Sequence, residues 1–303
     1  MYNYPLRGKE KGMPQSAPHS DTSNPPSLPT VIGQDMHILN PIFTRALQQH
    51  DSKILAAMAT QQVEAGARAL DLNLGTTAKN RLLTAWVVDT IQHAVDVPLF
   101  ISSQVLKQPE ILQDYRGKIT INSVTAERSA LISAMETAGA YQAQLVVLLV
   151  RPGLTPFTAD ERLQLAAEVL ETAGKAAFPI KDLYLDPLFH LRPDPLTWQL
   201  SRGMPDVDSV LETISLLPQL AGTHLRTLVA LSSASQFLPA EKRSALHCRL
   251  LPLLTAAGLD AVILNSHDKQ LMEIVQKPEG STLASPPPIR NIREKISPAA
   301  MHW

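Results

Sequence analysis

The sequence predicts a closed barrel of eight parallel strands, each followed by a helix. Three observations lead there. Eight short apolar runs recur along the chain, and each precedes a stretch with helical periodicity. The block that holds them, residues 30–276, has about the 250 residues usual for one such barrel. No Gly-x-Gly-x-x-Gly follows the first run, which weakens the alternative, a doubly wound dinucleotide-binding sheet.

The runs are TVIG (30–33), ALDLNLG (69–75), VPLFIS (97–102) and KITINS (118–123), then AQLVVLLV (143–150), DLYLDP (182–187), LRTLVALS (225–232) and LDAVILN (259–265). The clearest helix is 158–174. Thr158 and Glu161 form a capping box, Leu163, Ala166, Leu170 and Ala173 make an apolar stripe, and Gly174 suits the C-terminal cap. Residues 51–66 repeat the scheme with Ile54, Leu55, Met58 and Val63. AGA (65–67), AGA (138–140) and AGL (257–259) each close a helix before a strand, where glycine allows a left-handed cap.

Flanking this block, residues 1–29 and 277–303 are rich in Pro and Ser and are expected to be disordered extensions. A net charge of -1 gives no reason to expect nucleic acid or an anionic membrane as partner. Cys248 is the lone cysteine, which excludes an internal disulfide or a Cys-rich metal site, and its apolar helical setting reads as a buried structural thiol. With no apolar span of membrane length and no apolar core near the N-terminus, the expected location is the cytoplasm.

Polar residues inside parallel strands need a reason, because such strands are covered on both faces. In LDLNL, the leucines 70, 72 and 74 share one face and Asp71 and Asn73 the other, so the polar pair should line the barrel interior near its C-terminal mouth. Asn122 stands at the same level of the fourth strand, and Asp186 ends the sixth, just before a proline. An interior carboxylate is costly without donors, so this cup suits a ligand rich in donors and acceptors. Single strand-end residues of this kind also serve as loop ties. The rim of the third strand carries Ser102 and Ser103 rather than an acid. The connection 187–206 is longer than the usual ~2–6 residues, and His190, Arg192 and Arg202 on it could meet anionic groups or remain solvated. Ser266, His267 and Asp268 are consecutive and cannot form a catalytic relay; they read as a helix start. No metal-binding His spacing, Walker loop or Asp-x-His-x-x-Gly corrinoid motif is present, so no metal is expected on this chain and a corrinoid would be carried by another.

Together, GARALDLNLG (66–75), INSVTAER (121–128), GLTPFTADERL (153–163), DLYLDPL (182–188) and LSSASQ (231–236) resemble the pterin-binding barrels, specifically the methyltetrahydrofolate:corrinoid methyltransferases, from about Val31 to Gln276. The resemblance implies the dihydropteroate-synthase-like (β/α)8 barrel, with methyltetrahydrofolate as substrate in its mouth. It implies methyl transfer between N5 of that folate and the cobalt of a separate corrinoid (iron–sulfur) protein. It implies pterin contacts by Asp71, Asn73, Asn122, Asp186 and Gln236, with Asp186 accepting the planar donor pair of the pterin edge. Two positions depart. Ser102 stands where the family has a second pterin-binding aspartate, and Ser233 stands where it has the asparagine implied to hydrogen-bond the N5 region. GQDMHILNP (33–41) also departs from the family's Gly-Glu-Arg-Ile-Asn. These departures keep open a non-catalytic or retuned paralogue that acts as a binding or assembly subunit. Dihydropteroate synthase shares the fold, but LGTTAKN (74–80) and ILNSHDK (263–269) supply neither its substrate loop nor its late basic pair. The resemblance leaves a homodimer open.

Overall fold

The computed structural model describes residues 28–192, 204–221, 223–236 and 238–276. Nearly all of both terminal extensions, and Arg202, lie outside the described residues.

Eight parallel strands, hydrogen-bonded neighbour to neighbour, close into a barrel in the order β1-β10-β9-β6-β5-β4-β3-β2. They are β1 (Thr30–His37), β2 (Ala69–Asn73), β3 (Leu99–Ser102), β4 (Ile119–Thr125), β5 (Gln144–Leu148), β6 (Leu183–Asp186), β9 (Arg226–Ala230) and β10 (Ala261–Leu264). A short antiparallel pair, β7 (Leu191–Arg192) and β8 (Met204–Pro205), lies in the connection after β6. The helices are α1 (Pro41–Gln49), α2 (Ser52–Glu64), α3 (Arg81–Ala94), α4 (Arg128–Ala140), α5 (Ala159–Lys175), α6 (Val207–Ala221), α7 (Ala240–Ala256) and α8 (Lys269–Gln276).

Two cores result. Ile32, Ala69, Phe100, Val146, Leu228, Ala261 and Ile263 fill the barrel, while Leu70, Leu72 and Leu74 join the larger core between strands and helices. The period-two reading of LDLNL therefore holds: the leucines face the helices, and Asp71 shares the inner face with Ala69. At the N-terminal end the barrel is plugged by polar groups. Arg226 lies over the Tyr184 ring, 4.0 Å from its centroid. In the amide orientation that satisfies both of its ends, Gln144 donates to Thr120 Oγ1 and accepts from both Arg226 Nη atoms, each at 3.1 Å. Such a layer serves closure and stability; chemistry belongs at the other end.

Several elements differ from the sequence expectation. Helix α1 was not foreseen, although Asn40 caps it through Ile42 N–H and Pro41 stands at its first position. After β3 the chain forms two 3-10 segments, Ser103–Lys107 and Pro109–Asp114, in place of an α-helix. Pro109 disfavours helical geometry at Gln108, which lies outside the helical region at φ -146° and ψ 66°. The capping box on α5 is present, but the buried face runs through Arg162, Leu165, Ala166, Val169 and Ala173, with Leu163 and Leu170 only partly buried. Helix α5 continues past Gly174, and the left-handed residue is Ala177. Of the three small-residue closures, Gly66 and Gly258 have positive φ; Gly139 lies inside α4, and Gln142 takes the left-handed conformation there. Asp268 does cap α8, accepting from Leu271 N–H at 3.2 Å.

Gly33 lets β1 approach α2. A Cβ there would lie 2.5 Å from Gln62 Oε1, the oxygen that accepts Asp35 N–H at 3.0 Å where β1 bulges. Gly33→Ala must displace this fully buried side chain, so a loss of about 1–3 kcal/mol is expected in urea unfolding. An unchanged midpoint would show that Gln62 swings aside freely.

Candidate functional site

The barrel register sets the mouth. Ser102 pairs with Asn122 across β3–β4, and Leu148 with Asp186 across β5–β6. Asn122 Nδ2 donates to Asp71 Oδ1 at 2.9 Å, joining β2 and β4 across the intervening β3. That bond orients the amide, so its oxygen stays available to accept from a ligand. Asp71 keeps some exposure, yet burial of its carboxyl pushes its pKa up to about 6, against the pull of the Asn122 donor. Asp186 is 3% exposed. Its Oδ1 accepts Leu188 N–H at 2.7 Å, and burial raises its pKa to about 7, against the Leu188 bond and the Arg162 charge. Two carboxylates made costly to ionise, opening on a barrel mouth, are poised to accept donors that arrive with a ligand.

The other predicted residues have local partners. Asn73 is exposed and its Oδ1 accepts Gly75 N–H at 3.0 Å. Ser102 Oγ faces Gln104 N at 3.5 Å, at the head of the 3-10 segment. Ser233 is 7% exposed and its hydroxyl donates to Ala230 O at 2.6 Å. Gln236 is exposed at the end of the same turn, as is Ser232. The structure thus joins Asp71 and Asn122 directly, sets Ser102 beside them, and places Asp186 two strands further round. The Ser233 hydroxyl donates its hydrogen bond to the backbone.

Behind Asp186 lies a cluster of which the sequence reading named only His190. Arg162, fully buried on α5, donates from Nε to Pro187 O at 2.7 Å, from Nη2 to Leu188 O at 3.1 Å and from Nη1 to Ser209 Oγ at 2.6 Å. It also forms a buried ion pair with Asp206. Asp206 Oδ1 accepts His190 N–H at 2.8 Å, and His190 O accepts Asp206 N–H at 3.1 Å. His190 packs edge-on to Phe157, centroids 5.9 Å apart, and burial lowers its pKa to about 4, helped by the Arg162 charge. It is a neutral imidazole at physiological pH. The signal for Arg162 was present: Ala159, Leu165, Ala166, Val169 and Ala173 form a wide apolar face with an arginine inside it.

Two further groups border the mouth. His267 Nε2 lies 3.2 Å from Asp35 Oδ2; burial raises Asp35 despite that neighbour, and lowers His37. His247 on α7 meets Ser235 Oγ at 2.9 Å and so braces the turn that holds Ser233. Among the described residues no group of three or more His, Cys, Asp or Glu could hold a metal ion. No described helix is long and apolar enough to cross a membrane.

No family model matches the sequence. A methylcorrinoid:tetrahydrofolate methyltransferase of Eubacterium limosum is 27% identical over 165 residues, which cover 52% of this chain and 59% of that relative. The match thus spans little more than half the relative's length. Solved structures agree on the fold. A dihydropteroate synthase of Xanthomonas albilineans with 4-aminobenzoic acid superposes with a TM-score of 0.60 at 14% identity, covering 82% of this chain and 90% of that one. The Stenotrophomonas maltophilia synthase gives 0.58 at 15%, covering 82% and 91%. The Coxiella burnetii synthase in complex with pteroic acid gives 0.55 at 18%, covering 82% and 93%. The chain has the barrel fold of the dihydropteroate synthases and, over about half its length, resembles a methylcorrinoid:tetrahydrofolate methyltransferase in sequence.

Proposed function

We propose that the chain binds a reduced folate in its barrel mouth and transfers a methyl group between N5 of methyltetrahydrofolate and the cobalt of a separate corrinoid protein. The observation that carries this is the acceptor set itself: ionisable Asp186 and the Asp71–Asn122 pair, held on three strands of a barrel shared with pterin-binding enzymes. A pterin edge presents a ring N–H beside an exocyclic amino group. Asp186, its Oδ1 steadied by Leu188 N–H, offers that edge a charged acceptor. Asn122, with its amide nitrogen given to Asp71, offers its oxygen. The partner's corrinoid supplies the cobalt that gives or takes the methyl group; the residues of this chain fix the folate and exclude water from it.

A second reading, a retuned or non-catalytic paralogue, is favoured by one specific feature. N5 is a poor leaving group unless a donor stabilises it, and the Ser233 proton is committed to Ala230 O. The exposed donors on that turn are Ser232 and Gln236.

Calorimetric titration with 5-methyltetrahydrofolate, followed by a methyl-transfer assay with a reduced corrinoid protein, separates the readings. Binding with transfer is the expected result. Binding without transfer selects the retuned paralogue, and no binding at millimolar ligand overturns the methyltransferase and leaves a non-catalytic assembly subunit. Ser102→Asp restores a carboxylate beside Asn122 and still suits the capping position. It is expected to tighten folate binding about tenfold, in line with ~1.5 kcal/mol for a charge-assisted bond. Unchanged affinity would place Ser102 outside the ligand's reach.

A further inference from the structure

The connection after β6 is built around one side chain from another helix. Arg162 spends its guanidinium on Pro187 O and Leu188 O on one side, and on Asp206 and Ser209 on the other. Both ends of the connection are therefore tied to α5, before β7 and after β8. Between the two carbonyls lies Leu188, a non-glycine residue at φ 50°. Such backbone costs about 1 kcal/mol or more and persists only where the surroundings hold it. Its N–H is the donor to Asp186 Oδ1.

We propose that Arg162 is a positioning residue for Asp186: it locks the Pro187–Leu188 turn, and through it the carboxylate that meets the ligand. The proposal rests on the folate reading only for what Asp186 meets. A flexible lysine could supply charge but not this reach, because a planar fork bonds several fixed acceptors at once.

The same placement sets the charge around Asp186. Among the described residues, the facing group on α5 is Arg162, at the head of α6 it is Asp206, and on the connection itself it is His190, neutral at physiological pH. β5 presents uncharged Leu148 in register, and the cation of β9, Arg226, pairs with Tyr184 two residues below. Among the described residues, Arg162 is thus the cation that favours ionised Asp186 against its burial.

The test is a 13C NMR titration of the aspartate carboxyls in the ligand-free full chain, with Asp186 assigned by its loss in Asp186→Asn. The variant is Arg162→Gln with Asp206→Asn, which removes the buried pair as a pair and avoids stranding one charge. The Asp186 midpoint is expected to rise by about one pH unit or more. Affinity for 5-methyltetrahydrofolate at pH 7 should fall about tenfold and recover towards pH 9. A structural role alone would lower the melting temperature and leave that midpoint in place. Should the double variant not fold, Arg162→Lys keeps a cation beside Asp186 but cannot span both carbonyls, so folate affinity at pH 7 is expected to fall about tenfold with a smaller shift of the Asp186 midpoint. A folded variant with unchanged midpoint and affinity overturns the proposal. Failure of the wild-type chain to bind the folate overturns the folate reading instead, and the ligand-free titration still decides the role of Arg162.

Discussion

Asp186→Asn is expected to make the ligand-free protein more stable at pH 8 and weaker in folate binding. The buried carboxyl titrates near 7 in the folded chain against an ordinary value of 3.8. A carboxyl whose folded pKa is raised favours folding while protonated; that contribution is complete below 3.8 and lost as the pH rises through about 7. At pH 8 the ionised group therefore costs the fold on the order of 2–4 kcal/mol. Asparagine keeps the oxygen that accepts Leu188 N–H and carries no charge. Urea unfolding should show a gain of about 1–3 kcal/mol at pH 8 and little change at pH 4. Binding moves the other way, because a charged acceptor is lost and the new amide presents donors to donors. A loss of ~1.5–3 kcal/mol corresponds to about 10–150-fold in Kd by calorimetry. A variant less stable at pH 8 would show that the Leu188 turn needs the charge itself.

That opposition also explains how much was legible in the sequence. Strand positions followed from apolar runs, and the inward direction of Asp71 followed from period two, because both are local properties of the backbone. Asp186 stood out as a carboxylate ending an apolar strand. Arg162 did not, because its ion-pair partner lies 44 residues away and only the closed barrel brings the two together. The buried face of α5 was displaced for the same reason: the stripe through Leu163 and Leu170 ignored an arginine that the fold internalises. Hydroxyl directions were equally beyond reach. Ser102 and Ser233 could be placed on their strands, but their local partners, Gln104 N and Ala230 O, depend on the turns that follow. The interruption after β3 was legible in principle, since Pro109 marks it.

Arg162→Met is expected to be the most destabilising single change in the site. Methionine fills much of the space and leaves Asp206 buried at 3% exposure without its cation. It also removes the donors to Pro187 O, Leu188 O and Ser209 Oγ. Breaking one side of a buried pair costs about 3–5 kcal/mol, whereas replacing both partners is far milder. The penalty carries a pH signature. Burial already pushes the Asp206 carboxyl up, and Arg162 pulls it back; without Arg162 the carboxyl rises further and takes a proton as the pH falls. Destabilisation should therefore be largest at pH 8 and partly relieved at pH 5, and Asp206→Asn in the Arg162→Met background should recover stability at pH 8 while changing little at pH 5. Urea unfolding of the wild type, Arg162→Met and the double variant at the two pH values measures this directly. A loss under about 1 kcal/mol at both pH values would mean that the connection after β6 holds its shape without the clamp. The Leu188 turn, and the carboxylate it presents, would then be set by β6 alone.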